Sequence, residues 1–249
     1  KDANGEVAKI PGVVQFFQQD AGFASSLVES IMDMYPEKVE AGEPVNILQV
    51  QQGAGYNSPF DRRQIGYQPY EDEGKIKTVE RIAPIDDQNA TSSMRDVTAA
   101  TLPKYGEGEI DGIWCCYDAY AQGVYQALVE ANSDIPMVSV DICNEDIQFM
   151  QEGKNWKACA TTNWSSNGEF ACRVLALEMA DQYEDIYAAS CYYEDPGDWM
   201  EIPSVIVTQE MVTSKDGINI ENLAEVAGEE YSDTSWMPTC DWMVDLLGH

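Results

Sequence analysis

The stretch from Ile110 to Asp141 constrains the fold more than any other part of this 249-residue chain. It contains two predicted apolar strands, Ile110–Cys116 and Pro136–Val140, joined by an amphipathic helix. Each strand is followed closely by a carboxylate, Asp118 or Asp141. A strand–helix–strand connection makes the two strands parallel, so both carboxylates are expected at the same edge of a sheet. In α/β proteins, that edge is where ligands bind.

The alternation of strands and helices continues on both sides of this stretch. Repeated units of this kind predict an α/β fold, in which a parallel sheet is flanked by helices in a three-layer α/β/α arrangement. A strand is also predicted at 204–207, and the remaining carboxy-terminal residues are acidic and weakly periodic. The other predicted strands are 13–17, 46–50, 75–83 and 156–161, and the main predicted helices are 23–35, 60–67, 92–102 and 166–187.

The charge of the chain is its outlying property, with a formal net charge of -30 and a pI near 4.1. Such a charge repels phosphate backbones, so we expect no nucleic-acid partner. We interpret the carboxylates as a solvated surface. No apolar run is long enough to span a bilayer, and no basic segment precedes an apolar one at the amino terminus. We therefore expect no direct membrane insertion, and we expect no export signal within these residues.

The cysteines and the single histidine disfavour metal and histidine chemistry. Seven cysteines are present without a Cys-x-x-Cys pair, and the only histidine is His249. Zinc sites and histidine-based acid–base catalysis therefore lack their usual residues. Cys115 and Cys116 lie in an apolar strand, where small buried thiols are common. We expect no metal, no cofactor and no catalytic residue.

Four segments occur in an order typical of one family. The first two segments are Gln19-Asp20 before the first helix and the loop Gly53 to Tyr67, which ends in Arg63, Gly66 and Tyr67. The third contains Tyr117-Asp118 with Ala121 and Gly123, followed by Val138 to Asp141, and the fourth is Trp156 to Asn163. In this order they resemble the type I periplasmic solute-binding proteins of sugar ABC transporters, a family that includes ribose-binding protein. The combination is more specific than any one segment.

The resemblance implies a Rossmann-like lobe of a periplasmic binding protein, in a family that holds its ligand between two lobes. The matched part begins where the second lobe of the family begins, so the chain resembles a carboxy-terminal portion that lacks most of the first lobe. On this basis, residues 1–162 are expected to form the second lobe and 163–198 to return toward the first. Residues 199–249 are expected to supply a closing strand and an acidic extension.

The resemblance also implies a function and a set of ligand-binding residues. The expected function is binding of a small polar solute, most simply a sugar or polyol, for delivery to a membrane permease of an ABC transporter. The expected location is periplasmic or extracellular, with or without a lipid anchor. The residues at the family's ligand positions are Gln15, Arg63, Tyr117, Asp118, Asp141 and Thr162.

The chemistry of these side chains suits a polyol, although some have simpler interpretations. Arg63 offers a rigid fork of donors, while Asp118 and Asp141 accept bonds from hydroxyl groups. Tyr117 or Trp164 could cover the apolar face of a sugar ring, whereas Trp114 lies within a strand and fits the core better. Arg63 could instead be an ordinary surface residue, and Asp118 could cap the helix that follows it.

Two departures from the family pattern leave the ligand open. Tyr117 replaces an asparagine, and Val140 replaces an aromatic residue. A phenol is bulkier and offers one polar atom, so a simple pentose fits less well than a larger sugar or a modified polyol. Alternative functions are the effector-binding core of a lac-repressor-type regulator, a chemosensory receptor, and a glycoside-processing enzyme that uses two carboxylates.

Overall fold

A computed structural model describes residues 16–53, 58–182 and 200–247. These residues form two compact units. The larger unit contains 20–161 and 204–231, and the smaller unit contains the remaining described residues. Among the described residues, no helix combines the length and the apolar character needed to cross a membrane.

The larger unit is built on a six-stranded sheet. Its strands are β2 (Val45–Val50), β3 (Ile76–Ile82), β4 (Gly112–Cys115), β5 (Met137–Val140), β6 (Trp156–Thr161) and β8 (Val205–Thr208). They lie in the order β3-β2-β4-β5-β6-β8, and every neighbouring pair is parallel except β6 and β8. The predicted α/β fold with a parallel sheet is therefore confirmed, with one antiparallel strand at an edge.

Helices connect the strands of this sheet. They are α1 (Asp20–Met32), α2 (Pro36–Ala41), α3 (Ser58–Asp72), α4 (Ala90–Thr101), α5 (Asp118–Glu130) and α6 (Asn144–Glu152), followed after β8 by the short α8 (Gln209–Thr213) and α9 (Glu229–Ser232). Single 3₁₀ turns occupy 87–89, 102–104 and 223–225. The helical spacing of Phe23, Leu27 and Ile31 gives α1 an apolar face, and all three side chains are fully buried.

Two glycines allow helices to pack at short range. A Cβ atom on Gly66 of α3 would lie 1.9 Å from the carbonyl oxygen of Ala21 in α1. A Cβ atom on Gly123 of α5 would lie 2.2 Å from the carbonyl oxygen of Thr91 in α4. Because only glycine lacks a Cβ atom, these two positions set how closely the helix pairs approach. The close approach of α3 to α1 matters for the site, since both helices contribute to it.

The smaller unit has a two-stranded parallel sheet of β1 (Phe16–Gln18) and β7 (Met200–Ile202). It also contains α7 (Trp164–Met179) and α10 (Asp241–Leu247). Its buried cluster is Phe170, Val174, Ile202 and Met237, with Trp236 packed against it. The edge of the Phe16 ring meets the Phe170 ring, with a centroid distance of 5.0 Å.

The boundaries of these units differ from the predicted segments. The resemblance described above predicted that residues 1–162 form one lobe and that 199–249 form a closing strand and an extension. In the structure, 16–19 fall in the smaller unit, and 204–231 belong to the larger unit because β8 pairs with β6. The helix α2 and the strand β7 were not predicted, since each is too short to establish a periodic pattern.

Candidate ligand-binding site

The order of strands locates the crevice of the larger sheet. The strands β2 and β4 are neighbours in the sheet. The connection after β2 leads to β3 on one side, and the connection after β4 leads to β5 on the other side, so the two connections diverge between β2 and β4. In an open parallel sheet, the carboxyl ends of strands at such a switch point form a natural ligand crevice. The helix α3 follows β2, and Tyr117 and Asp118 follow β4, so predicted site residues come from both connections.

Arg63 is the central side chain of this crevice. Its guanidinium is 3% exposed, which excludes the alternative of an ordinary surface residue. Nε donates to Oδ1 of Asp20 at 3.0 Å, Nη1 donates to the backbone carbonyl of Cys116, and Nη2 lies 3.3 Å from Oδ2 of Asp141. The guanidinium therefore links α1, the end of β4 and the end of β5.

Asp141 directly follows β5 and has an unusual backbone conformation. Its φ angle is +70°, in the left-handed region that few residues other than glycine, asparagine and aspartate adopt. Its amide donates to the carbonyl of Ala160 at 2.8 Å, which continues the pairing of β5 with β6 for one more residue. The strand thus ends in a bend at Asp141, and its carboxylate lies beside Arg63.

Asp118 is the first residue of α5, and Tyr117 occupies the N-cap position without a capping hydrogen bond from its side chain. Oδ1 of Asp118 accepts a bond from the amide of Ala119 at 2.7 Å, so the carboxylate satisfies one of the free amides of the first turn. Burial, and then the charges of Asp146 and Asp141, raise the pKa of Asp118 to about 7. The side chain is therefore close to half protonated at neutral pH.

Asp146 was not predicted and lies beside Asp118. It is fully buried, and its oxygens accept bonds from Nε2 of Gln122 at 2.9 Å and from the amide of Cys143 at 2.7 Å. The second bond is one half of a capping box at the start of α6. A polar residue at the third position of a helix is the sequence signal that could have identified Asp146.

Asp118, Cys143 and Asp146 place one potential metal ligand each within 4.8 Å of one another. The Asp146 oxygens already accept bonds from the Gln122 side chain and from the Cys143 amide of the helix cap. Burial raises the pKa of the Cys143 thiol to about 11, so a metal ion would have to displace a proton that is held more tightly than in an ordinary thiol. We therefore assign no metal to this trio.

Three aromatic rings pack against one another, and one of them contacts Arg63. The Tyr117 ring is 5.7 Å from Phe60 and 5.4 Å from Tyr120, and Phe60 and Tyr120 are 6.0 Å apart, measured between centroids. The guanidinium carbon of Arg63 lies 5.3 Å from the centroid of Phe60. Burial and the nearby charges of Asp118 and Asp141 raise the pKa of Tyr117. We call Phe60, Tyr117 and Tyr120 the aromatic cluster.

The other aromatic candidates have different positions. Trp114 is 1% exposed in the middle of β4 and packs against Tyr67, so it belongs to the core, as its place in a strand indicated. Trp164 begins α7 in the smaller unit and is half exposed.

The two remaining predicted residues are Thr162 and Gln15. Thr162 is a fully buried residue of the smaller unit, where its Oγ1 accepts a bond from Nδ2 of Asn167 at 3.1 Å. Gln15 lies outside the described residues. The structure thus groups Arg63, Tyr117, Asp118 and Asp141 in the larger unit, and the ligand-binding role of all six predicted residues stays a prediction.

A groove of about 720 Å³ lies elsewhere on the larger unit, between β3 and α4. Its lining includes Ile82, Asn89 and Val97, and none of the predicted ligand residues is among the residues that line it. We place the candidate site at the strand ends instead, because an arginine, two aspartates and an aromatic cluster converge there.

Comparison with known proteins supports the predicted resemblance. No protein-family model and no curated protein matches the chain. Solved structures do match. A sugar ABC transporter protein of Yersinia enterocolitica is 25% identical, with a TM-score of 0.73, and the match covers 92% of this chain and 63% of that protein.

Two further structures show the same fold. The 5-methylthioribose transporter solute-binding protein of Thermotoga lettingae is 18% identical with a TM-score of 0.75, and 97% of this chain matches 70% of that protein. The arabinose-binding component of an ABC transporter from Shewanella sp. ANA-3 is 17% identical with a TM-score of 0.59, and 88% of this chain matches 66% of it. The chain therefore spans about two thirds of the length of these proteins.

Proposed function

We propose, from the fold that this chain shares with solute-binding proteins of sugar ABC transporters, that it forms part of a receptor for a sugar or polyol. The observation that carries the proposal is the pairing of Arg63 with Asp141 at the carboxyl ends of the strands, beside the aromatic cluster. The similar proteins are binding proteins, and we propose that this chain also binds its ligand without changing it chemically.

The side chains of the site suit the chemistry of a polyol. A hydroxyl group both donates and accepts, so neighbouring hydroxyls are well matched by a guanidinium next to a carboxylate. Arg63 and Asp141 provide this combination within one ion pair of 3.3 Å. The aromatic cluster supplies apolar surface of the kind that packs against a sugar ring. Tyr117 makes this surface larger than the asparagine of the related motif would, which favours a sugar with a bulky or apolar substituent.

The partner and location follow from the same proposal. A receptor of this kind delivers its solute to the membrane permease of an ABC transporter, and it works in the periplasm or outside the cell. The net charge of -30 is consistent with a protein whose partners are not nucleic acids.

Binding to a defined panel of compounds tests the proposal. We would measure thermal shifts, and then affinity by titration calorimetry, with L-arabinose, allitol and 5-methylthioribose, and with amino acids as a contrasting class. Saturable binding of at least one sugar or polyol, with no product formed in NMR spectra of the mixture, is expected. Binding of amino acids alone, or conversion of a bound compound, would overturn the proposal.

A pair of arginine variants locates the binding. Arg63→Gln removes the central side chain of the site, whereas Arg95→Gln removes an arginine that is 42% exposed and pairs with Asp96 and Glu130 on the surface. We expect Arg63→Gln to weaken the binding strongly, to a lower but still measurable affinity, and Arg95→Gln to leave it unchanged. Equal effects of the two substitutions would place the ligand elsewhere.

A further inference from the structure

We propose that Asp20 is a positioning residue, which holds the guanidinium of Arg63 in the orientation that the ligand requires. The importance of that orientation for binding rests on the proposed function, whereas the orientation itself can be tested without any ligand. Three properties support this role: the contacts of Asp20, the hydrogen bonds that fix the guanidinium of Arg63, and the balance of charge around both residues.

Asp20 is held between two arginines. It is the first residue of α1 and is 1% exposed. Oδ1 accepts the bond from Nε of Arg63 at 3.0 Å, while Oδ2 accepts bonds from Nε and Nη2 of Arg62 at 2.8 and 2.5 Å. Each oxygen of the carboxylate therefore binds a different guanidinium, which fixes the plane of the carboxylate.

A fixed carboxylate in turn fixes Arg63. The guanidinium is planar, and its Nε and Nη groups have a constant geometry. With Nε bound to Asp20 and Nη1 bound to the Cys116 carbonyl, the plane of the fork is defined, and Nη2 reaches Asp141. Without Asp20, two hydrogen bonds would hold the guanidinium, one to Asp141 and one to the backbone carbonyl of Cys116. The carbonyl carries no full charge, so it holds the guanidinium less strongly than a carboxylate does.

The charges of this group are balanced in a site that is largely closed to water. Arg62 and Arg63 carry two positive charges, and Asp20 and Asp141 carry two negative charges. Buried charges are tolerated when they are paired and hydrogen-bonded. Removing the charge of Asp20 would leave two positive charges and one negative charge in this group, and Arg63 would lose the carboxylate that holds its Nε.

A spectroscopic measurement tests the orientation directly. In ¹⁵N NMR spectra, the Nε–H group of Arg63 is expected to give a resonance that exchanges slowly with water, because it is buried and bound to Asp20. We expect Asp20→Asn to shift this resonance and to increase its exchange. Asp111→Asn is the matched control, since Asp111 is also buried and paired, with Lys38 at 2.6 Å, and does not contact Arg63.

Affinity for L-arabinose and 5-methylthioribose tests the consequence for binding. We expect Asp20→Asn to weaken binding about ten- to hundredfold, by analogy with the loss seen when the hydrogen-bonding support of a metal ligand is removed. Asp20→Glu keeps the charge but displaces it by one methylene, so we expect it to fold and to bind more weakly than the parent chain. In an Arg63→Gln background, Asp20→Asn should cause no further loss, because Asp20 acts through Arg63.

The outcomes separate this proposal from the proposed function. If no sugar binds to the parent chain, the proposed function fails, and the Arg63 resonance still decides the role of Asp20. An unchanged resonance in Asp20→Asn would overturn the positioning role. An equal loss of affinity in the presence and absence of Arg63 would overturn it as well, since it would show that Asp20 acts by another route. If Asp20→Asn does not fold, Asp20→Glu provides both readouts.

Discussion

Arg63 and Asp141 are 78 residues apart in the chain, yet Nη2 of the arginine lies 3.3 Å from Oδ2 of the aspartate. One residue comes from the helix after β2 and the other from the end of β5, and the strand β4 separates the two in the sheet. The guanidinium bridges this separation because it also binds the backbone carbonyl of Cys116, directly after β4. A single side chain thus connects the ends of neighbouring strands at the candidate site.

Arg63→Gln should lower the free energy of unfolding. Removing one partner of a buried ion pair leaves the other charge without compensation, which costs about 3–5 kcal/mol in comparable cases. We expect a loss toward the lower end of this range, because Asp20 keeps its bonds to Arg62. Urea denaturation followed by circular dichroism measures this loss. Arg95→Gln, on the surface, should change the stability by no more than about 0.5 kcal/mol, and similar losses in both variants would contradict the buried pairing.

Substitutions of Asp141 should separate backbone strain from ligand contact. Asparagine tolerates a φ angle of +70°, whereas a β-branched residue does not. We therefore expect Asp141→Val to be less stable than Asp141→Asn by about 1–2 kcal/mol. Both variants lack the carboxylate and should lose affinity to a similar degree. Thermal melts and calorimetric titrations on the same samples provide the two measurements, and equal stability of the variants would argue against the left-handed conformation.

Asp118 should make the stability of the chain depend on pH. Its pKa of about 7 in the folded chain is above the ordinary value of 3.8, so the folded state binds more protons than the unfolded state between these values. The free energy of unfolding should consequently fall as the pH rises from 3.8 to about 7, and the loss should be complete once the pH is above the folded-state pKa. Since the site is partly open to water, we expect the loss to be on the order of 2 kcal/mol.

Melting temperatures between pH 4 and pH 8.5 would measure this effect. Asp118→Asn cannot ionise, so the variant should gain stability relative to the parent chain as the pH rises. Asp96→Asn, at an aspartate whose side chain is 70% exposed, is the control and should follow the parent chain. A constant difference between parent and Asp118→Asn across this range would contradict the burial of the Asp118 carboxylate.

Gly66 and Gly168 should respond in opposite directions to alanine. A Cβ atom at Gly66 would overlap the carbonyl of Ala21, so Gly66→Ala must push α3 away from α1 and should cost about 1–3 kcal/mol. At Gly168 in α7, a Cβ atom would meet no described atom within 4 Å, and Gly168→Ala should stabilise that helix by up to about 1 kcal/mol. Chemical denaturation measures both changes. Because Arg63 is carried by α3, Gly66→Ala should also weaken ligand binding.

Much of the site could be predicted from local pattern. Asp118 and Asp141 follow predicted strands, and parallel strands end at the same edge, so their grouping follows from the order of elements. Arg63 was found through its spacing from Gly66 and Tyr67 in a recognisable motif. Phe60 and Tyr120 were missed as site residues, since nothing in their local sequence separates them from ordinary helical residues. Asp146 was missed as well, although its place at the third position of α6 is the signal of a capping box.

The sequence by itself determined the alternation of strands and helices, and through it the parallel sheet and the edge at which the ligand residues gather. The reason is physical, because the spacing of apolar residues dictates which face of each element is buried. Only the tertiary structure decided that Arg63 is buried, that Asp20 holds it, and that Asp118 and Asp146 share a region poor in water. Groups from distant parts of the chain determine the burial of a side chain, the pKa of a carboxylate and the partners of a guanidinium. The local spacing of residues does not predict which distant groups will meet.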